Sequence, residues 1–416
     1  MLVSHSSAAT ASRLGRRESV ILLAALMALN AIGIDAMLPA LPAIGQSLGV
    51  TEENQRQLII VSYMLGFGFG QMLWGPIADR YGRRPIMAIG VSLFIAFSLV
   101  CAAAPSFTVL IAARVAMGAA SASTRVLVTA IVRDLFKGEA MARVMSLVFM
   151  VFMVVPIVAP SFGQAVLGFA PWPMIFVLLA VYAAAILAWG MVRLPETLHP
   201  EYRRSLELAS IVDAVRHVVG DRLAVGYTLA TATLSGALVA YIASIQQIVA
   251  DVFQAPSMLP LVFAGVATPM LLAAFTNSRI VEHFGLRRVG HAGLIGFCAI
   301  AVLHWIVAER GQETLLLFML LQGLLMISFA LCASNFSTLA MTNMGEIAGT
   351  AASVQGVAST IGGALIGLVI GQAFDGTIHP FLVGILLCGG VALLLVLVTE
   401  RGQLLQPLAA TADQFS

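Results

Sequence analysis

The chain has 416 residues, 60% of them hydrophobic and only 10% charged, with a formal net charge of +2. Soluble domains carry about a quarter charged residues, so these values exclude a water-soluble globular protein and point to a multi-pass membrane protein. The near-neutral net charge itself says little about partners, and no nucleic-acid partner is expected.

A membrane span needs roughly 20 apolar residues, and charges and Pro/Gly breaks divide the sequence accordingly. The first span is expected at 19–40. It is about full spanning length and many more follow, so it does not read as a cleavable signal peptide. Asp35, in "GIDAMLPALP", is its one ionisable residue after Ser19. Burial disfavours the charged form of a carboxylate, and acids inside a membrane are functional by default. Asp35 is therefore the first candidate for proton binding; a packing role near the interface is the alternative.

Spans follow at 57–78, 86–104, 107–131, 142–167 and 171–193, the last two divided at "GFAPWP". Gly66 and Gly70 stand four apart on span 2 and suit close approach of a neighbour. Arg114 and Arg125 fall inside span 4, and Pro156 and Pro160 inside span 5, where each removes a backbone donor. The segment 194–221, with Pro195, Pro200 and mixed charge, reads as a linker between two bundles, with a short surface helix at 205–217. Six further spans are expected at 223–249, 258–278, 289–308, 314–338, 349–373 and 380–398, with Gly363, Gly367 and Gly371 on one face. The domains are thus 1–193, 194–221 and 222–416, and the fold is an all-α membrane bundle of twelve helices in two blocks of six.

Orientation follows from Lys and Arg. Eighteen of the 22 lie at the termini or in even-numbered connections; Arg56 and Arg310 alone lie in odd ones, and Arg114 and Arg125 lie within a span. Both termini are expected in the cytoplasm. The halves also echo each other: "GPIADRYGRRP" (75–85) follows span 2 and "SRIVEHFGLRR" (278–288) follows span 8. Aligning Gly82 with Gly285 pairs Asp79 with Glu282 and Arg84 with Arg287. An internal duplication around a central site is a common transporter design.

Other chemistry finds no support. Cys101, Cys298, Cys332 and Cys388 are scattered singly, which gives neither a disulfide framework nor a metal pair. There is no GxxxxGK[ST] for ATP. The seven histidines form no ligand set, and His304, within span 9, has no partner at helical spacing. No metal, no cofactor other than a coupling proton, and no nucleophile–base motif of an enzyme is expected.

"GPIADRYGRRP", with Gly75, Asp79, Arg80, Gly82, Arg83 and Arg84, resembles the signature loop of the major facilitator superfamily in its usual place between spans 2 and 3. Within it, "GIDAMLPALPAIGQSLGV", "RVAMGAASASTRVLVTAIVRDLF" (114–136), "VAPSFG" (158–163) and "LPET" (194–197) resemble the Bcr/CflA-type drug:proton antiporters. Departures are Met117 in place of Gln, Thr129 where many relatives have Arg, Gln164 in place of Gly, and no acid near Met27.

The resemblance implies a monomeric inner-membrane exporter of hydrophobic drugs, driven by protons through rocking of two bundles. It implies that Asp35 and Arg114 couple the proton, with Arg114 either modulating Asp35 or forming a fixed structural pair. Asp79, Arg80, Arg83 and Arg84 with Asp134 would gate the cytoplasmic face. There Asp79 is expected to accept backbone N–H groups at a helix N-terminus and the arginines to pair with acids. Pro156, Pro160 and Gly163 form the antiporter motif. Met37, Tyr63, Gln71, Arg125, Tyr241, Gln246, Phe329 and Asn335 are candidate cavity residues, each also readable as packing; Arg125 either lines the cavity or bonds to carbonyls. A proton-coupled metabolite symporter and a non-transporting ligand sensor are the alternatives. Asp35 is expected to be the only titratable acid deep in the membrane.

Overall fold

The computed structural model describes residues 15–198, 201 and 215–406. Among these, twelve helices are long and apolar enough to cross a membrane. They fall into two compact units, Met1–Leu208 and Ala209–Ser416. The first holds α1 (Arg16–Asp35), α2 (Leu58–Tyr81), α3 (Arg83–Ala102), α4 (Phe107–Leu135), α5 (Gly138–Leu167) and α6 (Pro173–Arg193). The second holds α7 (Arg222–Gln247), α8 (Leu259–Phe284), α9 (Leu286–Glu309), α10 (Leu315–Ala340), α11 (Ala348–Gln372) and α12 (His379–Thr399).

The first span differs from expectation. Its apolar stretch runs from Arg17 to Ser47 rather than ending at residue 40. α1 stops at Asp35, a 3-10 turn spans Leu38–Ala40, and a short helix covers Leu41–Ser47. Pro39 explains the break: it offers no N–H to the carbonyl four residues back, which is that of Asp35, and its ring crowds that oxygen. Asp35 therefore sits at an interruption inside a longer span, not near its end. α7 likewise runs on through a π turn, Ile248–Val252. The surface helix at 205–217 lies outside the described residues except for its last three positions. Residues 215–220 are helical, and Val218 packs with Ala224, Met344 and Ala351 rather than lying free.

The repeat suspected from the two hairpins extends to the packing. In the first unit α2 packs on α4, α3 on α4 and α6, and α1 on α5, α4 and α6. Advancing each number by six gives pairs that also pack in the second unit: α8 on α10, α9 on α10 and α12, and α7 on α11, α10 and α12. The joints match too, since Gly82 (φ 101°, ψ 163°) and Gly285 (φ 81°, ψ 154°) each cap one helix and begin the next in a region that disfavours side chains.

Small residues set the spacing of the packed helices, as expected where lipid removes any hydrophobic drive between them. A Cβ on Gly66 would lie 1.9 Å from the Val115 carbonyl oxygen, and one on Gly118 2.0 Å from that of Tyr63. α2 and α4 thus touch backbone to backbone. In the second unit a Cβ on Gly367 would lie 2.6 Å from Val239, which seats α11 on α7. Gly118→Ala should destabilise the protein by about 1–3 kcal/mol through overpacking, read as a lower unfolding temperature in detergent. Gly390→Ala, where nothing lies within 4 Å, serves as the control and should change little.

Candidate functional site

Asp35 closes α1 with 3% of its surface exposed, and its Oδ1 is buried with no hydrogen-bond partner. Arg114, on α4, has no exposed surface at all. Its Nε donates to the Ile59 carbonyl at 2.9 Å and its Nη1 to the Gly33 carbonyl at 2.8 Å. Its guanidinium lies 4.4 Å from the Tyr63 ring centroid and 6.0 Å from that of Phe176, a cation–π arrangement. One arginine thus joins α1, α2, α4 and α6. It is near enough to Asp35 to interact through space, yet the two make no ion pair. The expected pairing is replaced by main-chain acceptors, for a local reason. Because α1 ends at Asp35, the carbonyls of its last turn lack intrahelical partners, and Gly33 provides one of them.

Tyr63 is fully buried and donates to the Asn30 carbonyl at 3.5 Å, while Met37 is buried in the break itself. Gly163 of the span-5 motif meets the same break: a Cβ there would stand 1.8 Å from the Ala36 carbonyl oxygen and 3.4 Å from Pro39. α5, which carries Pro156 and Pro160 internally, is therefore seated directly beside Asp35. Among the described residues Arg125 meets neither an acid nor a carbonyl; its guanidinium lies over the Phe67 ring at 5.8 Å. Gln71 is half-buried on α2.

The four cavity candidates of the second unit are all buried. Tyr241 is buried 5.7 Å from the Phe263 ring, and Gln246 is buried with its Oε1 unpartnered. Phe329 is 6% exposed. Asn335 donates to Asn277 Oδ1 at 2.9 Å and to the Leu331 carbonyl at 2.7 Å, so it ties α10 to α8. Among the described residues no group of three or more His, Cys, Asp or Glu is placed to hold a metal ion.

At the 75–85 hairpin the arrangement departs from expectation in two ways. Among the described residues Arg83 alone of the hairpin arginines pairs with acids, at 2.6 Å from Asp79 and 3.0 Å from Asp134, with 3% of its side chain exposed. Arg84 instead donates to the Met191 carbonyl, and Arg80 lies over the Tyr81 ring. The acid at the helix N-terminus is Glu196, not Asp79. Its carboxylate accepts the backbone N–H groups of Arg83 at 2.8 Å, Arg84 at 3.1 Å and Leu198 at 3.0 Å, where the dipole of α3 favours negative charge. Asp79 is at the wrong end for that role, in the last turn of α2. Gly82 is required twice over, by its positive φ and because a Cβ would stand 2.6 Å from Glu196 Oε2. Thr197 closes the cluster by donating to Asp134 at 3.1 Å. Glu196 and Thr197 belong to the "LPET" motif and were not singled out; a carboxylate just past α6, opposite an Arg-rich helix start, was the available signal. Gly75 stands in open packing, with Val126 at 4.0 Å.

The second unit holds a related cluster around Glu400, which follows α12 as Glu196 follows α6. Arg287 Nε lies 3.3 Å from Glu400 Oε1, Tyr227 donates its hydroxyl to the same carboxylate, and His291 Nε2 is 3.0 Å from the Tyr227 oxygen.

Residues 23–252 match the Major Facilitator Superfamily. The chain belongs to that superfamily. An uncharacterized MFS-type transporter of Bacillus subtilis (strain 168) is 30% identical over 84% of this chain and 87% of its own. A bicyclomycin resistance protein homolog of Haemophilus influenzae is 31% identical over 64% of this chain and 67% of its own. Among solved structures, a human organic anion transporter superposes with a TM-score of 0.66 at 21% identity, covering 94% of this chain and all of that one. As a superfamily member the protein is a multi-pass membrane transporter of small molecules.

Glu196→Ala should leave three backbone donors without their carboxylate and cost about 1–3 kcal/mol. Thermal unfolding in detergent checks this, and an unchanged midpoint would show that the cap carries no stability.

Proposed function

We propose that this superfamily transporter exports hydrophobic or amphipathic drugs across the inner membrane in exchange for protons, by alternating access, as a monomer with both termini in the cytoplasm. Asp35 carries the proton. The observation that carries the reading is the pair of facts about charge at the α1 break. Asp35 is buried with an unpartnered carboxylate oxygen, and the adjacent Arg114 is held by carbonyls rather than by that carboxylate. A buried acid without a fixed counter-ion exchanges its proton when water or a cationic substrate reaches it. The likeness to a bicyclomycin resistance protein homolog supports a drug as cargo. The distribution of Lys and Arg supports the orientation, and Arg83 with Asp79 and Asp134 is the candidate gate on the cytoplasmic side.

In an efflux-deficient host, expression should raise resistance to a subset of hydrophobic antibiotics, and an uncoupler should abolish that resistance. Asp35→Asn should remove uncoupler-sensitive efflux, by at least tenfold, while the protein stays folded in the membrane. Full efflux in the Asp35→Asn variant would overturn the coupling role; accumulation in place of efflux would favour the symporter.

A further inference from the structure

His304 lies inside span 9, and its partner comes from outside helical spacing. α9 ends at Glu309, Gly311 turns at φ 64°, and the chain folds back so that Glu313 meets His304. His304 Nε2 and Glu313 Oε1 are 2.9 Å apart. His304 has no exposed side-chain surface and Glu313 has 9%. Each keeps a second polar atom, His304 Nδ1 and Glu313 Oε2, buried without a partner. The walls are aromatic: Phe318 stands 5.7 Å from the His304 ring, with Phe253 and Phe381 at 5.5 and 6.4 Å from Phe318. One helical turn beyond Phe318, Gln322 is fully buried with both carboxamide atoms unpartnered. So many unsatisfied buried polar atoms require an explanation.

We propose that the His304–Glu313 pair is a proton-binding site of the second unit, separate from Asp35. With the ring neutral and its N–H on Nε2, that N–H donates to Glu313 Oε1 and the lone pair on Nδ1 stays vacant. A proton from water forms one new N–H bond at Nδ1. The pair passes from a net charge of −1 to zero, an imidazolium facing a carboxylate. A buried negative charge is thereby neutralised, beside the tilted ring of Phe318. Among the described residues neither member of the pair makes a second ion pair. Glu309 and Arg310 lie beyond it on the exposed end of α9, and Glu309 is engaged by His379 of α12 at 3.4 Å. α10 presents Phe318 and Gln322. The π turn after α7 carries Asp251 on its exposed side. The charged residues of α8, Arg279, Glu282 and His283, stand at its opposite end, beside Gly285. Because Phe318 also touches Phe253, just past that π turn, the charge state of the pair bears on the end of α7.

The site is tested without transport, so its failure is distinct from failure of the export reading. The full chain, labelled with 15N-histidine and placed in lipid nanodiscs, is compared between about pH 8 and about pH 5, the range in which histidine changes charge. Loss of one imidazole signal in His304→Gln assigns the residue; Gln keeps a donor for Glu313. At the higher pH His304 should show one protonated and one bare nitrogen, and at the lower pH two protonated ones. In Glu313→Gln the ring should stay neutral throughout, and in Asp35→Asn it should behave as in the unmodified protein. A His304 ring that stays neutral at the lower pH, or that titrates identically without the Glu313 carboxylate, would overturn the proposal.

Discussion

Arg114 carries a permanent charge with no exposed surface, and the first unit is arranged to absorb it. An arginine does not shed its proton, and lipid supplies no acceptors. The charge must therefore be met by atoms of the chain. Two carbonyl oxygens and two aromatic faces meet it, drawn from four helices. Several local features follow. α1 must end where it does, or Gly33 would have no free carbonyl to offer. α2 and α4 must approach closely enough to bring Ile59 within reach, which the Gly66 and Gly118 contacts permit. Tyr63 must lie flat beneath the guanidinium, and it anchors to Asn30 of the helix that Arg114 also holds.

The hairpin end solves a similar problem with different groups. There the buried cation is Arg83, and the acceptors are the side chains of Asp79 and Asp134 rather than carbonyls. Glu196 then neutralises the exposed N–H groups of α3 from the far side. The equivalent corner of the second unit keeps the glycine joint and a carboxylate after the last helix, but substitutes Tyr227 and His291 for the second acid. The two units share the backbone turn and the helix contacts, while their polar filling differs. That is the expected order of tolerance, because a positive-φ joint admits few residues whereas a buried polar cluster needs only that its donors and acceptors match.

The fold was legible because its constraint is compositional: a span must be apolar for roughly 20 residues, and charges mark where it stops. The hairpin at Gly82 was legible through its recurrence at Gly285, though its positive φ was not. The interruption at Asp35 was written in Pro39, four residues on, yet hydropathy alone ran the first span to residue 40. Partners contributed by distant segments were not legible. Glu196 lies 113 residues from the N–H of Arg83, and the Gly33 carbonyl lies 81 from Arg114. No periodicity encodes such a meeting. Main-chain acceptors are further hidden because any residue supplies one. The pairing of His304 with Glu313 was missed because nine residues and a glycine turn separate them, and helical spacing was the wrong template for a helix that ends between them.

The position of Gly163 joins these themes. The span-5 motif places its glycine against the Ala36 carbonyl, one residue past Asp35. A helix that packs on the break in α1 ties the backbone next to Asp35 to α5, so a shift of that backbone moves α5 as well. Arg114 already donates to two carbonyls through Nε and Nη1 and keeps only its buried Nη2 without a partner, so it gains less from a turn of Asp35 toward it than a wholly unpaired arginine would. The two carriers of charge are thus kept near but unpaired by backbone contacts, not by their own attraction. Under the proposed exchange, the occupancy of Asp35 is then governed by access of water and substrate to the break rather than by rupture of an ion pair. Breaking a buried ion pair costs about 3–5 kcal/mol, and a site spared that step in every cycle can load and release its proton on smaller motions of α1 and α5.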